Sequence, residues 1–275
     1  IPNSINRITN QNLHQSQTVD GIIITHPNFI TQAQRLANFH LQQYNYKEVV
    51  ITTNQIFNEF GVGKPDPTAI KDFVKMYYDK ANGDTTKQPK YLILFGTASV
   101  DYKNRIANNT NFVPCYQSNN SLNPLATFTS DDFFGFLNDN DNVNDYTNPA
   151  LLDIAIGRIP AKNVEEATTF VTKIINYHSN NSFGNWRNDA LFIADDKDNN
   201  LHLNDAEIMA KTTIRQILQI NQALLETSKT PMPAAISFKL ALLQDKTSGY
   251  TKKFFESRDE LFTTLGEHDN VSGQK

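Results

Sequence analysis

Cysteine is almost missing from this chain. Cys115 stands alone among 275 residues, which excludes an intramolecular disulfide framework and leaves the redox compartment open. No apolar run approaches the roughly 18 residues that a membrane-spanning helix needs. The polar opening IPNSINRITNQNLHQ has no signal-peptide core either. The 25 basic residues are outnumbered by 29 acidic ones and are scattered, giving a formal charge of −4. Without a basic stripe to track phosphates, nucleic acid is not an expected partner. A phosphate loop is lacking too: NEFGVGKPD has glycines and a lysine, but not the Walker spacing. No repeat of solenoid period occurs.

What is present is enough apolar sequence for a good core, in one large domain or two smaller ones. The start on isoleucine and the Asn-rich loops suggest a matured or excised segment. After a polar leader over 1–18, GIIIT (21–25) reads as a strand, and a helix is expected from 28 to 44 with Ile30, Ala33, Leu36, Ala37 and Leu41 inward. KEVVIT (47–52) is the next strand, followed by an irregular stretch. Asp66 as N-cap and Pro67 at the first helical position start a helix that buries Ile70, Phe73, Val74 and Tyr77. YLILFG (91–96) has the continuous apolar character of a central parallel strand. Residues 97–148 are mostly loop, and LLDIAIGRIP (151–160) reads as a further strand containing an acid, Asp153. Asn163 then caps a helix to about His178 with Val164, Ala167, Val171, Ile174 and Ile175 inward.

NNSFGNW (180–186) marks a boundary. ALFIADD (190–196) opens a new βα unit whose helix starts near Asn204 and buries Ala206, Met209, Ala210 and Ile217. The expected organisation is a first α/β subdomain over 19–182, the start of a second over 188–220, and a divergent helical tail over 221–275, with an amphipathic helix at 257–265. Strands alternating with helices in this way specify an α/β fold with a parallel sheet.

The densest set of candidate ligands is ADDKDNNLHLNDAE, which gathers Asp195, Asp196, Asp198 and His202, with Asp205 and Glu207, beyond a strand end. Clustered oxygens suit a hard cation such as calcium or magnesium. The bland reading is a solvated turn whose last acids complement a helix N-terminus. Cys115 in NFVPCYQS has no basic neighbour in sequence to lower its thiol pKa and reads as a plain loop cysteine. Asp131 and Asp132 form a second acidic pair. Asp153 caps the sheet edge, pairs with a base, or orients a histidine.

Five stretches, in order, carry a resemblance: IFNEFGVGKPDPTAIKDFVKMYYD, YLILFGTASVDYKNRI, TFTSDDFFGFLND, LDIAIGRIPAKNVEEATTFVTKIINY and WRNDALFIADDKDNNLHLNDAE. Together they make the chain similar to the gingipain-type cysteine peptidases, in particular the PorU-like signal peptidases and sortases of type IX secretion. The resemblance implies a caspase-like α/β fold: a parallel sheet flanked by helices, then a second subdomain that presents a catalytic His after a Gly-His-Gly signature and a Cys at the next strand end. It also implies a supporting acid, whose position matches Asp153. This chain has no Gly-His-Gly, and Cys115 lies far upstream of the expected nucleophile. Thr97 and Val100 depart from the family's acidic and aromatic residues there.

The expected function is therefore a cysteine endopeptidase domain acting on secreted protein or peptide substrates, inactive as given, with Asp153 at most an orienting acid. The cell surface is the expected location and an outer-membrane secretion complex an expected partner. One alternative is a non-catalytic protein- or calcium-binding module. The other is a magnesium-dependent α/β enzyme using Asp195 and Asp196.

Overall fold

A computed structural model describes residues 7–212 apart from 104, 121, 146, 148, 149, 185, 186, 188 and 196–198, together with the strand at 237–243. The chain divides into two compact units, Ile1–Ser179 and Asn180–Lys275.

The first unit is built on four parallel strands: β1 (Gly21–Thr25), β2 (Glu48–Thr52), β3 (Tyr91–Phe95) and, later in the chain, β6 (Ala155–Ile159), in the spatial order β2-β1-β3-β6. Two-residue strands β4 (Tyr116–Gln117) and β5 (Thr129–Ser130) pair separately within the long loop between β3 and β6. All five residues of β1 are buried, as a strand covered on both faces requires. The period of two divides them. Ile22 and Ile24 face one core with Leu92 and Leu94 of β3, and Ile23 faces the other with Phe95.

Four helices cover the faces. Helices α2 (Thr53–Phe60) and α3 (Pro67–Lys80) pack Ile56, Phe57, Ile70, Phe73 and Val74 on the first face. Helices α1 (Ile30–Tyr44) and α4 (Val164–Tyr177) pack Ala33, Leu36, Ala37, Ala167 and Val171 on the second. Each fully buried large aliphatic contributes about 1.5–3 kcal/mol by leaving water. Local chemistry sets the helix ends. Asp66 accepts from Thr68 N at 2.8 Å and precedes Pro67; Asn163 accepts from Glu166 N at 2.8 Å; Asn45 closes α1 in the left-handed region at φ 54°.

Several expectations are corrected. The helix expected from 28 begins with a 3-10 turn, Pro27–Phe29, before α1; Ile30 and Leu41, and Val164 at the start of α4, are exposed instead of inward. The stretch after β2 is not irregular: Thr52 and Gln55 form a capping box that starts α2, a helix too short to announce itself by periodicity. The segment 151–160 is not all strand, since residues 151–154 lie outside β6. The leader is not merely polar padding. Leu13 is buried in the first core, and Glu59 on α2 accepts from Leu13 N at 2.9 Å, Gln11 Nε2 at 2.9 Å and His14 Nδ1 at 3.0 Å.

In the second unit, β7 (Asp189–Asp195) pairs in parallel with β8 (Ser237–Leu243). A strand at 237–243 corrects the helical reading of the tail, where the apolar run LALL suits either structure. The residues expected to be helical at 257–265 and Ile217 lie outside the described set. Residues 199–212 are helical, starting ahead of Asn204. Asn199 and Asn200 take left-handed φ values of 58° and 62°, which asparagine tolerates. Ala210 is buried as expected, whereas Met209 is exposed.

Removing the Glu59 carboxylate should free the leader without unfolding the sheet. For Glu59→Ala we expect faster amide hydrogen exchange confined to residues 11–16 and a loss of about 1–2 kcal/mol in urea unfolding. Unchanged exchange at Leu13 would show that Glu59 does not hold the segment.

Candidate functional site at the C-terminal edge of the sheet

In an open parallel sheet, binding groups gather outside the strand C-termini, where neighbouring strands lead off in opposite directions. Here that place lies between β1, whose chain returns through α1 to β2, and β3, whose chain leads through a long loop to β6. His26 follows β1 and Gly96 follows β3.

Gly96 has φ +144°, and a Cβ there would meet Phe112 Cβ at 2.9 Å. Glycine therefore lets residues 110–113 lie across the strand end. Thr97 O accepts from Phe112 N at 2.9 Å and Val113 N at 3.1 Å, while Thr97 Oγ1 donates to Thr110 O at 2.7 Å. The His26 ring lies 4.6 Å from that of Phe112. Its Nδ1 accepts from Asn28 N at 3.2 Å, which leaves Nε2 as the protonated nitrogen of the neutral ring. Burial lowers its pKa, because desolvation penalises the imidazolium.

Arg158, in β6, holds this edge together. Its Nε and one terminal nitrogen donate to the two Asp131 oxygens at 2.7 and 2.6 Å, and the other terminal nitrogen donates to Gly96 O at 2.7 Å and Val113 O at 2.8 Å. Side-chain exposures of 15% and 26% place the pair among part-buried, bidentate ion pairs, whose geometry makes them stronger than surface ones. One guanidinium thus ties β3, the 97–115 loop and the 131 loop to β6. Cys115 is half-buried beside it. Burial, and then the Asp131 charge, push its thiol pKa up, with Arg158 opposing. The arrangement disfavours the thiolate that nucleophilic attack needs.

The sequence-derived site residues fall elsewhere. Asp153 precedes β6 and so stands at the N-terminal edge, opposite the strand C-termini. It accepts from Leu137 N at 2.9 Å, Asn138 Nδ2 at 3.0 Å and the Tyr78 hydroxyl at 3.2 Å. These bonds fasten the 135–141 loop to the end of α3. Asp195 ends β7, while Asp196 and Asp198 lie outside the described residues; His202 is exposed on the 199–212 helix. Among the described residues no three His, Cys, Asp or Glu side chains form a metal-sized group, and no helix is long and apolar enough to cross a membrane. His26 and Arg158 were not singled out from sequence. The available signals were a histidine directly after a buried strand, and an arginine in an otherwise apolar strand.

The model of peptidase family C25 matches residues 14–263. Among solved structures, dimeric latent PorU from Porphyromonas gingivalis is 31% identical with a TM-score of 0.54; the match covers 66% of this chain and 17% of that one. The Arg-specific cysteine proteinase gingipain R is 17% identical with a TM-score of 0.46, over 68% and 35% of the two chains. The complex of Porphyromonas gingivalis RgpB pro- and mature domains gives 18% and 0.43, over 64% and 33%. This chain therefore spans about a sixth of PorU. No curated protein matches significantly. The parallel sheet with helices on both faces is the caspase-like arrangement expected, and the likeness to PorU agrees with it.

Two outcomes test the edge. Arg158→Ala leaves a carboxylate and two carbonyls without their donor and should cost about 2–4 kcal/mol in urea unfolding, with Arg158→Lys recovering less than half. For His26, the unfolded chain takes up the proton first as pH falls, because the folded pKa is the lower one. Its stabilising contribution is complete above the unfolded pKa of about 6.5 and is lost as pH drops below it toward the folded value. Thermal melts from about pH 7.5 to about pH 5.5 should show a shallower decline in His26→Phe than in the parent.

Proposed function

The chain belongs to peptidase family C25, and from that premise we propose that it is a gingipain- or PorU-like cysteine endopeptidase domain acting on secreted proteins. In this reading the four-stranded unit is the first subdomain, a rigid platform whose C-terminal edge borders the substrate. Peptide cleavage of this class requires thiolate attack on a carbonyl, an imidazole to move protons, and backbone N–H donors around the oxyanion. We assign the chain as given no such activity of its own. The observation carrying this is Cys115, the single thiol in the sequence, whose ionisation burial and Asp131 oppose.

Asp153 has its carboxylate occupied by Leu137, Asn138 and Tyr78, and we assign it to loop anchoring instead of histidine orientation. We also propose a location at the bacterial cell surface, with an outer-membrane secretion complex as partner; the likeness to PorU supports this reading.

The 275-residue chain should leave a fluorogenic peptide library uncleaved above the blank, and Cys115→Ala should behave identically. Turnover that iodoacetamide and Cys115→Ala both abolish would overturn the assignment of inactivity.

A further inference from the structure

A second site lies at the other end of the sheet, on the face covered by α1 and α4. The strand starts align there in one register row, Glu48 of β2, Gly21 of β1, Tyr91 of β3 and Ala155 of β6. Over this row opens a cavity of about 520 Å³ lined by His40, Tyr44, Tyr46, Glu48, Tyr91 and Gly157, among others.

Glu48 is the unusual member. Its side chain is only 3% exposed, and its one hydrogen bond among the described residues joins Oε2 to His40 Nδ1 at 2.7 Å. Oε1 lies over Gly21, 3.1 Å from where a Cβ would stand, and no donor reaches it from the described residues. A carboxylate enclosed to this degree, with one oxygen left to the cavity, is suited to a donor that enters there. The walls are aromatic: the Tyr46 and Tyr91 rings lie 5.6 Å apart, and Tyr44 and Tyr91 are about half exposed. Burial first, and then Tyr91, Asp20 and Glu48, raise the Tyr46 phenol pKa, so the wall is a neutral phenol at ordinary pH. No lysine or arginine among the described residues lines the cavity.

An acceptor-only anion beneath electron-rich ring faces complements a cation that donates hydrogen bonds, carried on an apolar stem. We propose that this cavity binds a guanidinium or primary ammonium group, with Glu48 as its anchor and Tyr44, Tyr46 and Tyr91 as its walls. The site is separate from the C-terminal edge, and the proposal stands whether or not the chain is a peptidase domain.

Calorimetric titration of the full chain tests it with three probes: agmatine, an acetylated and amidated Gly-Arg-Gly peptide, and the same peptide with neutral citrulline in place of arginine. Saturable binding is expected for agmatine, for the arginine peptide, or for both; which of them binds tells a free amine from a polypeptide side chain. The citrulline peptide should bind at least about tenfold more weakly. Glu48→Gln should weaken binding by about tenfold or more. Gly157→Phe provides a second variant, because a Cβ at Gly157 meets nothing within 4 Å and a ring there would fill the mouth without straining the strand. Its melting temperature should match the parent's while binding is lost. No binding by either cationic probe up to about 10 mM, equal binding of the citrulline peptide, or parental binding in folded Gly157→Phe would overturn the proposal.

Discussion

The first unit hangs on β1. Like β3 it is paired on both sides, in its case to β2 and β3, and it alone of the four strands has every residue buried, the whole of GIIIT. Its residues must satisfy two cores at once, which excludes a polar or a bulkier substitute at nearly every position. Gly21 illustrates the constraint from the other direction. It is small because the Glu48 side chain crosses above it, so even the start of the strand is shaped by its neighbour. The strand's central place also forces the chain to leave in opposite directions from β1 and β3, and that divergence creates the crevice at the C-terminal edge.

A crevice of this kind has a definite shape only if the loops around it are fixed. The segment between β3 and β6 is long and contributes just two short paired strands, so its backbone groups need partners from elsewhere. Arg158 supplies several of them. It spends two donors on Asp131 and two bonds on the carbonyls of Gly96 and Val113. Asp153 performs the complementary task at the opposite end, accepting from Leu137 and Asn138. Two charged residues of the stretch LLDIAIGRIP thus pin the same long connection at both edges of the sheet. The awkward acid in that stretch is explained by the loop it fastens.

How much of this was legible in the sequence depends on the range of the interaction concerned. Short-range signals sufficed for α3, where Asp66 and Pro67 announce the start and Ile70, Phe73 and Val74 keep the period, and for α4 behind Asn163. They sufficed for β1 and β3, whose apolar runs are continuous. They misplaced the N-terminal end of β6, because Leu151 and Leu152 look like strand residues although both are exposed. Only the docking of the 135–137 loop, a contact between distant segments, bends the chain before Ala155. The same holds for the candidate sites. Asp131 was visible as half of an acidic pair, but its partner lies 27 residues away, and nothing local in either segment records the match. Family motifs located the relevant stretches without assigning Arg158 its contacts.

The two edges of the sheet also differ in electrostatic character, and the difference follows from what each strand end presents. At the C-terminal edge, His26 is held towards its neutral form by burial and the Asp131 charge is met by Arg158. The Arg158–Asp131 pair at this edge is compensated and part-buried, suited to keeping loops rigid. At the N-terminal edge the buried Glu48 has only an imidazole beside it, under a wall of phenols. A charge buried that deeply is retained against its desolvation cost only where something compensates it. His40 satisfies one oxygen. The other lies over Gly21, where none of the described residues donates to it, and this is the place that the proposed cation would occupy.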